Sequence, residues 1–219
     1  MQRKFSFVPG EFYHVYNRGV EKRDVFLETP DWRRFQSLLY LCNSDKTLVY
    51  KLIQGEPLEY DRGEEIVSIF AYTLMANHFH IVAKENRLGG LRKFMGRLLT
   101  SYSMYFNIKY ERSGALMCRP FRAKHISDDA YLRWVLSYVH LNPLGIKNSG
   151  LEEAYSTGKS RAEDTLSSFR YSSYQDYFLG TRPETRILNK IELPIDIADL
   201  ESVDEMLREV RAFQGDSLE

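Results

Sequence analysis

The order of apolar and polar residues divides the chain into short alternating segments and longer segments of helical periodicity. Alternation is typical of strands, whereas apolar residues three and four positions apart are typical of amphipathic helices. Strands are predicted at residues 12–18, 48–53, 66–74, 78–83 and 121–125, the third and fourth forming one bent strand or a hairpin around Ala76-Asn77. Thr29 or Asp31 is predicted to cap a helix that runs to Leu41, and further helices are predicted to cover residues 88–110, 130–141 and 199–213.

Composition narrows the class of protein. A chain of 219 residues with 43% hydrophobic residues is long and apolar enough to fold around a sizeable core. Its two cysteines, Cys42 and Cys118, lie far apart without metal-ligand spacing, which favours a reducing cytoplasm over a disulfide framework or a thiolate zinc site. The N-terminus has no apolar signal segment, and no apolar run approaches the roughly 18 residues of a membrane span. We therefore expect a soluble cytoplasmic protein with no membrane contact.

The net charge of zero conceals two opposite blocks. Residues 85–147 contain eleven Lys and Arg against four Asp and Glu, whereas residues 148–219 contain eight against fifteen. The basic block is either a solvated helix face or a surface that contacts a polyanion. The acidic block is a solvated face, a solubilising appendage or an autoinhibitory one that covers the basic surface.

Two histidines flank one apolar residue in His78-Phe79-His80. Residues two apart in a strand share a face, so both imidazoles point to one side while Phe79 points to the other. Buried histidines need partners. The pair therefore offers two nitrogen ligands to one metal ion, or it consists of two core histidines with ordinary hydrogen bonds.

The predicted helix 130–141 carries a second polar pair. Tyr138 and Asn142 are four residues apart, so they lie one helical turn from each other, beside the apolar stripe of the helix. If this face covers the histidine strand, a hydroxyl and a carboxamide oxygen lie next to two imidazoles. Alternatively, Tyr138 is an ordinary amphipathic side chain and Asn142 ends the helix before Pro143.

Three motifs follow one another along the chain: Tyr13-His14-Val15-Tyr16-Asn17-Arg18-Gly19, Leu74-Met75-Ala76-Asn77-His78-Phe79-His80 and Ser137-Tyr138-Val139-His140-Leu141-Asn142-Pro143. In this order they resemble the single-tyrosine HUH transposases, and they are most similar to the REP-associated tyrosine transposases and their insertion-sequence relatives. The resemblance covers residues 12–177, including Tyr171-Ser172-Ser173-Tyr174. It implies an α+β HUH palm, a ferredoxin-like antiparallel sheet of four or five strands with packed helices. The implied domain covers residues 1–180, followed by an acidic, partly helical extension at 181–219.

The resemblance also assigns roles at the site. It implies that His78, His80 and Asn142 bind Mg²⁺ or Mn²⁺ and that Tyr138 is the nucleophile, although insertion-sequence relatives more often carry Gln at the position of Asn142. Of the two cations, Mn²⁺ suits a mixed nitrogen and oxygen site better. A phenol with a pKa near ~10 needs activation at neutral pH. A metal-bound hydroxide, His125 and His140 are alternative proton acceptors.

The implied substrate is single-stranded DNA, folded as hairpins of imperfect palindromes. Cleavage would leave a 5′-phosphotyrosine and a free 3′-hydroxyl, which can be rejoined without ATP. Phosphate contacts and base stacking are predicted for a basic helix that also contains Tyr102 and Tyr105, and for the basic segment before the tyrosine helix. The predicted DNA-binding residues are Arg18, Arg87, Arg92, Lys93, Arg97, Lys109, Arg119, Arg122 and Lys124.

Three functions remain open from the sequence. The first is a metal-dependent DNA nicking and joining transposase, acting as a monomer or a homodimer. The second is a domesticated regulator that binds DNA hairpins without cutting them. The third is a metallo-phosphoesterase whose nucleophile is water, with Tyr138 in a structural role. Tyr102, Tyr105 and Tyr110 are rival nucleophiles, but they lack a polar partner four residues later.

Overall fold

A four-stranded antiparallel sheet forms the centre of the protein. The computed structural model describes residues 6–145, 159–196, 200 and 202–212. The strands are β1 (Phe12–Arg18), β2 (Val67–Met75), β3 (His78–Glu85) and β4 (Arg122–Ile126), in the order β2-β3-β1-β4. Every neighbouring pair is antiparallel.

Helices connect and follow the strands. They are α1 (Thr29–Leu41), α2 (Gly90–Lys109), α3 (Asp129–Leu141), α4 (Lys159–Ser168), α5 (Tyr174–Phe178) and α6 (Val203–Ala212). Single 3₁₀ turns are formed by Val20–Lys22, Tyr50–Leu52, Asn142–Leu144 and Pro183–Ile187. The chain order β1-α1-β2-β3-α2-β4 with this strand order is ferredoxin-like, which confirms the predicted α+β class.

The two faces of the sheet pack against different helices. Val15 and Phe79 lie in a first core that includes residues of α1 and α2. Val82 and Ile126 point the other way into a second core, formed with α3, α4 and α6. Because strand residues alternate between faces, the parity of a position decides which core its side chain enters. This rule places the site described below on the α3 side.

Of the two alternatives for residues 66–83, one bent strand or a hairpin, the structure has the hairpin. β2 and β3 are joined by the two-residue turn Ala76-Asn77, with Met75 opposite His78. The chain that leaves β1 packs on this turn, since Gly19 N–H donates to the Asn77 carbonyl (2.8 Å) and Val25 N–H donates to the Ala76 carbonyl (2.7 Å). Two backbone hydrogen bonds from one segment thus hold both residues of the turn.

The predicted strand at residues 48–53 is wrong. Tyr50–Leu52 forms a 3₁₀ turn, and Val49 and Leu52 are 54% and 74% exposed. The apolar run has no described strand beside it to complete its hydrogen bonds. The edge of β2 is bordered instead by a later segment, in which Ser173 N–H donates to the Tyr72 carbonyl (2.9 Å).

The helix starts follow from local capping. Asp128 caps α3 by accepting a hydrogen bond from Tyr131 N–H (2.8 Å). Helix α1 begins at Thr29 with Glu28 as its N-cap, so neither predicted cap is correct for that helix. Asp31 acts at the third position, where its carboxylate accepts the Glu28 N–H (3.0 Å).

The C-terminal helix is part of the second core. Four apolar residues of α6 are buried there: Val203, Met206, Leu207 and Val210. The predicted helix also covered residues 199, 201 and 213, which lie outside the described residues. The preceding segment contacts β2 through Asn189 N–H, which donates to the Ile69 carbonyl (2.8 Å).

The domain boundary at residue 180 stays a prediction. Among the described residues, no helix is long and apolar enough to cross a membrane.

Candidate active site

The two motif histidines lie side by side on β3, beneath α3. Their ring centroids are 5.2 Å apart with nearly perpendicular planes (88°). Val82, two residues after His80, enters the second core, while Phe79 is fully buried in the first. His78 is half-buried and His80 is 6% exposed. The predicted shared face of the two imidazoles is confirmed.

Helix α3 brings Tyr138 to these histidines. The Tyr138 ring lies 5.3 Å from the His80 ring, edge to face at 90°. The ring of Trp134 is stacked on the Tyr138 ring at 5.4 Å with an interplanar angle of 13°. The apolar stripe of α3, formed by Leu132, Val135, Leu136 and Val139, is buried in the second core and fixes this orientation. Tyr138 itself remains half-buried.

Asn142 completes the cluster at the end of α3. Its Oδ1 lies 3.3 Å from His78 Nε2, and its amide also hydrogen-bonds the Tyr138 hydroxyl. The chain turns sharply here, since Gly145 N–H donates to the Asn142 carbonyl (2.9 Å) and Gly145 has a φ of 74°, which favours glycine. All four residues assigned to the centre by the sequence therefore meet in one place.

The hydrogen bonds of His78 determine which of its nitrogens is available. Asn77 Nδ2 donates to the Lys22 carbonyl (3.2 Å), so its Oδ1 faces His78 Nδ1 at 2.6 Å. A neutral His78 therefore carries its proton on Nδ1 and presents a lone pair at Nε2. That lone pair and the oxygen of Asn142 face each other across 3.3 Å.

This donor set fits a divalent cation. Two neighbouring ligands at right angles around Mg²⁺, each bound at 2.0–2.1 Å, lie about 3 Å apart. The spacing of His78 Nε2 and Asn142 Oδ1 is close to that value, and His80 offers a second imidazole. Within the part of the chain that the structure describes, no group of three or more His, Cys, Asp or Glu side chains could hold a metal ion. At the site on β3 and α3, a cation would be bound by two imidazole nitrogens and one amide oxygen.

Burial controls the protonation of the site. Desolvation lowers the pKa of His78 and of His80, so both imidazoles are neutral at pH 7 and each keeps one unprotonated ring nitrogen. Desolvation also raises the pKa of Tyr138, a shift that the Asn142 hydrogen bond opposes and the nearby Tyr16 phenol reinforces. Tyr138 is therefore a neutral phenol at pH 7, and it would need an activating group to act as a nucleophile.

The structure does not bring either histidine proposed as proton acceptor to Tyr138. His125 Nε2 bonds Glu11 at 2.6 Å, and its ring packs on Tyr13 on the first-core face of the sheet. His140 is fully buried, with Nε2 2.9 Å from Ser173 Oγ. Two residues along a helix correspond to about 200° of rotation, so His140 points away from its neighbour Tyr138.

Part of the predicted DNA-binding set borders the site. Arg18 is exposed and lies directly opposite His78 in the register of β1 and β3. Arg122 and Lys124 are exposed on β4 and share the second-core face with Ile126. Arg119, just before β4, is also exposed. These residues give the site a positively charged margin on the β1 and β4 side.

The basic residues on and before α2 lie elsewhere. Helix α2 packs on the first core, so Arg92, Lys93, Arg97 and Lys109 are on the opposite face of the sheet from His80. Arg97 donates to the Ser44 carbonyl (2.7 Å), and Lys109 donates to Asp31 (2.7 Å). Arg87 follows the far end of β3, roughly 25 Å from His78 along the strand.

The aromatic residues of α2 are not available to the site either. Tyr102 is fully buried, and its hydroxyl donates to the Val25 carbonyl. Tyr105 and Tyr110 both donate to the Asp31 carboxylate, at 2.9 and 2.7 Å. None of these three tyrosines lies on the face of the sheet that carries His80.

Two residues of β1 were not assigned a role from the sequence, although they lie in the site. His14 Nε2 is 2.8 Å from His80 Nδ1, and the Tyr16 ring stacks on His80 at 5.6 Å. Both belong to the first motif and share parity with Arg18, so strand alternation places the three on one face. The missing information was the register that sets Tyr16 opposite His80.

Comparison with known proteins adds a distant structural likeness. No protein-family model matches the sequence, and no curated protein matches it. A solved structure of a REP-associated tyrosine transposase bound to a REP hairpin is similar with a TM-score of 0.48 and 11% sequence identity, covering 90% of this chain and 93% of that one. The functional assignment therefore rests on the residues of this chain.

Proposed function

We propose that this chain is a transposase-type enzyme that nicks and rejoins single-stranded DNA, with Tyr138 as nucleophile. In this proposal, His78, His80 and Asn142 hold Mg²⁺ or Mn²⁺. The observation that carries the proposal is the convergence of these four side chains from β3 and α3, with Asn142 in contact with both His78 and Tyr138. The packing of an apolar core does not by itself require a phenol, an amide and two imidazoles in one place.

Each residue of the site has a different role in the proposed reaction. The cation would offset the negative charge that grows on the phosphate oxygens during attack. His78 and His80 are kept neutral by burial, which suits ligands for such an ion. Asn142 links the cation site to the nucleophile, because its amide hydrogen-bonds the Tyr138 hydroxyl and stabilises the phenolate relative to the phenol. Trp134 restricts the ring by stacking on it.

The proposed reaction exchanges one phosphodiester for another. The Tyr138 oxygen bonds to phosphorus, and the bond between phosphorus and the 3′ oxygen of the preceding nucleotide breaks. The phenolic proton would pass to water or hydroxide from the solvent, since neither His125 nor His140 reaches Tyr138, and the departing 3′ oxygen takes up a proton from water. Attack by a 3′-hydroxyl on the 5′-phosphotyrosine reverses these steps and joins a strand without ATP.

The charge around the site suits a nucleic acid strand. Arg18, Arg122 and Lys124 are exposed on the same face as Tyr138 and would contact phosphates on either side of the cut. The half-buried Tyr16 ring lies between them and can stack on an unpaired base. Hairpin-forming palindromes are the expected substrate, since the motifs resemble those of REP-associated transposases. The chain would act as a monomer or a homodimer.

The deciding experiment is a covalent-adduct assay. The full chain is incubated with Mn²⁺ and a labelled pool of DNA hairpins with randomised single-stranded flanks, and then separated on a denaturing gel. We expect an adduct from wild-type protein and from the control Tyr50→Phe, a tyrosine remote from the site, but none from Tyr138→Phe. The binding of hairpins should be preserved in all three proteins.

Two other results would replace the proposal. Cleavage that persists in Tyr138→Phe would show a water nucleophile and assign the chain to the metallo-phosphoesterases. Hairpin binding by the wild-type protein without any adduct, in Mg²⁺ or Mn²⁺, would assign it to the non-cleaving regulators.

A further inference from the structure

His14 lies directly behind the proposed cation site. It is only 2% exposed, on the central strand β1, and its Nε2 is 2.8 Å from Nδ1 of His80. The two rings are nearly parallel, with centroids 5.0 Å apart at 24°. On the opposite side of β1, Lys124 is the register partner of His14. At 2.8 Å the two nitrogens share one hydrogen bond, in which one of them donates and the other accepts.

That hydrogen bond has two possible directions with different consequences. If His80 Nδ1–H donates to His14 Nε2, then His80 Nε2 carries a lone pair and can bind a cation. If His14 Nε2–H donates instead, His80 must carry its own proton on Nε2, and no lone pair remains for a cation. Because Nδ1 of His80 is occupied by His14 in either case, Nε2 is the nitrogen through which His80 would reach a metal ion.

We infer that His14 is a positioning residue that holds His80 in its metal-binding tautomer by accepting the hydrogen bond from His80 Nδ1. The inference rests on the proposed function, since it concerns the cation site of that proposal. His78 has an equivalent partner in Asn77, whose oxygen accepts from Nδ1 at 2.6 Å. The two partners differ in one respect: an amide oxygen can only accept, whereas a neutral imidazole nitrogen can accept or donate.

The second ring nitrogen of His14, Nδ1, links the direction of this hydrogen bond to the occupancy of the cation site. His14 Nδ1 is buried and has no hydrogen-bond partner among the described residues. When His14 accepts from His80, its own proton must be on this nitrogen, where it is left unpaired. An unpaired buried N–H is unfavourable. Metal binding at His80 would offset that cost, so the direction of one hydrogen bond and the occupancy of the site depend on each other.

The test measures Mn²⁺ binding to the full chain by calorimetry, without DNA. His14→Phe removes the acceptor, and we expect Mn²⁺ affinity to fall roughly 10- to 100-fold, as is typical when an outer partner of a metal-ligating histidine is lost. His14→Gln supplies an amide oxygen at similar reach and should restore most of the affinity. His140→Gln is the matched control, because His140 is equally buried but bonds Ser173, and it should leave Mn²⁺ binding unchanged.

A second measurement needs no variant and so does not depend on whether His14→Phe folds. Long-range ¹H–¹⁵N spectra of the wild-type protein with Mg²⁺ should show His80 protonated at Nδ1 and unprotonated at Nε2. The reverse pattern in the Mg²⁺-bound protein would overturn the inference. Unchanged Mn²⁺ affinity in a folded His14→Phe protein would overturn it as well.

The outcomes separate this inference from the proposed function. A wild-type protein that binds Mn²⁺ with the expected dependence on His14, yet forms no DNA adduct, would contradict the nicking proposal and support the role of His14. A wild-type protein that does not bind Mn²⁺ or Mg²⁺ at all would overturn both.

Discussion

Asn142 Oδ1 lies 3.3 Å from His78 Nε2, although the two residues are 64 positions apart in the chain. The contact joins the end of α3 to the start of β3. It bears on two interpretations of Asn142, as a helix terminator or as a ligand. The residue does end the helix, but its side chain is directed to a histidine whose other nitrogen is already bonded to Asn77.

Replacing Asn142 should therefore change cation binding. Asn142→Leu removes the oxygen, and we expect Mn²⁺ affinity to fall roughly 10- to 100-fold, as for other disturbances of metal sites. Asn142→Asp keeps an oxygen and adds a negative charge, so it should bind Mn²⁺ more tightly than wild type. Calorimetry on both variants checks this. If Asn142→Leu binds Mn²⁺ as the wild type does, Asn142 is only a helix terminator.

Charge reversal should show which of the two basic surfaces, on opposite faces of the sheet, contributes to DNA binding. The double variant Arg122→Glu/Lys124→Glu changes the face that carries Tyr138, and should weaken the binding of single-stranded DNA at least about tenfold. The dependence of log affinity on log salt should become shallower by about 0.7 for each lost phosphate contact. The matched control Arg92→Glu/Lys93→Glu makes the same charge change on α2, on the other face of the sheet. Equal losses in both variants would contradict the proposed path of the DNA.

Asp31 is predicted to be a stability determinant rather than part of the site. Its buried carboxylate accepts from Lys109 (2.7 Å), Tyr105 (2.9 Å), Tyr110 (2.7 Å) and two backbone N–H groups at the start of α1. Asp31→Asn puts a donor amide among these donors, and should cost roughly 2–3 kcal/mol of unfolding free energy at pH 7. Urea denaturation measures the loss. A change below about 0.5 kcal/mol, typical of surface substitutions, would contradict this assignment.

The same residue predicts a pH dependence. Desolvation opposes the ionisation of Asp31, but the hydrogen bonds from Lys109, Tyr110 and the backbone outweigh it and hold the pKa of the carboxyl below its usual value. A depressed pKa in the folded state means that the stabilisation is present above the unfolded value of about 4 and is lost as pH falls through the folded value. The difference in stability between wild type and Asp31→Asn should therefore shrink below pH 4. A difference that stays constant from pH 7 to pH 3 would contradict this origin.

Gly19 is predicted to tolerate no side chain. A Cβ there would lie 2.2 Å from the Arg23 carbonyl oxygen and 2.9 Å from Val25 Cγ1. Gly19→Ala must shift the segment that packs on the turn beside Asn77, and we expect a loss of about 1–3 kcal/mol in unfolding free energy. Gly96→Ala is the matched control, because its Cβ would meet nothing within 4 Å. Equal stability of the two variants would contradict the close packing of Gly19.

Periodicity in the sequence predicted those elements whose pattern is set by one packed face. β1, the hairpin, α2 and α3 all have such a face, and their predicted bounds agree with the structure to within two residues, the largest differences being at the end of β3 and the start of α2. Residues 48–53 have the same apolar character, but no described strand lies beside them. The pattern within a segment does not show whether a neighbouring strand is available to pair with it. The cap of α1 was missed because Glu28 acts as N-cap, a position where Ser, Thr, Asp and Asn are favoured.

The sequence predicted only those parts of the candidate site that follow from the spacing of residues within one strand or one helix. His78 with His80, and Tyr138 with Asn142, are pairs whose common face follows from the period of one strand or one helix. The face of the sheet on which a helix packs does not follow from its own sequence, so the α2 cations were assigned to the DNA surface together with those of β4. His14 required the register between β1 and β3, which is a relationship across 66 residues.

The position of β1 in the middle of the sheet limits how the protein can change. This strand carries His14, Tyr16 and Arg18 on one face and Tyr13 and Val15 on the other, between β3 and β4. A single inserted residue would exchange the two sets and turn the core side chains towards the candidate site. The loops that join the elements have no such restriction. Relatives that keep this chemistry should therefore differ in loop length and keep the count of residues along β1.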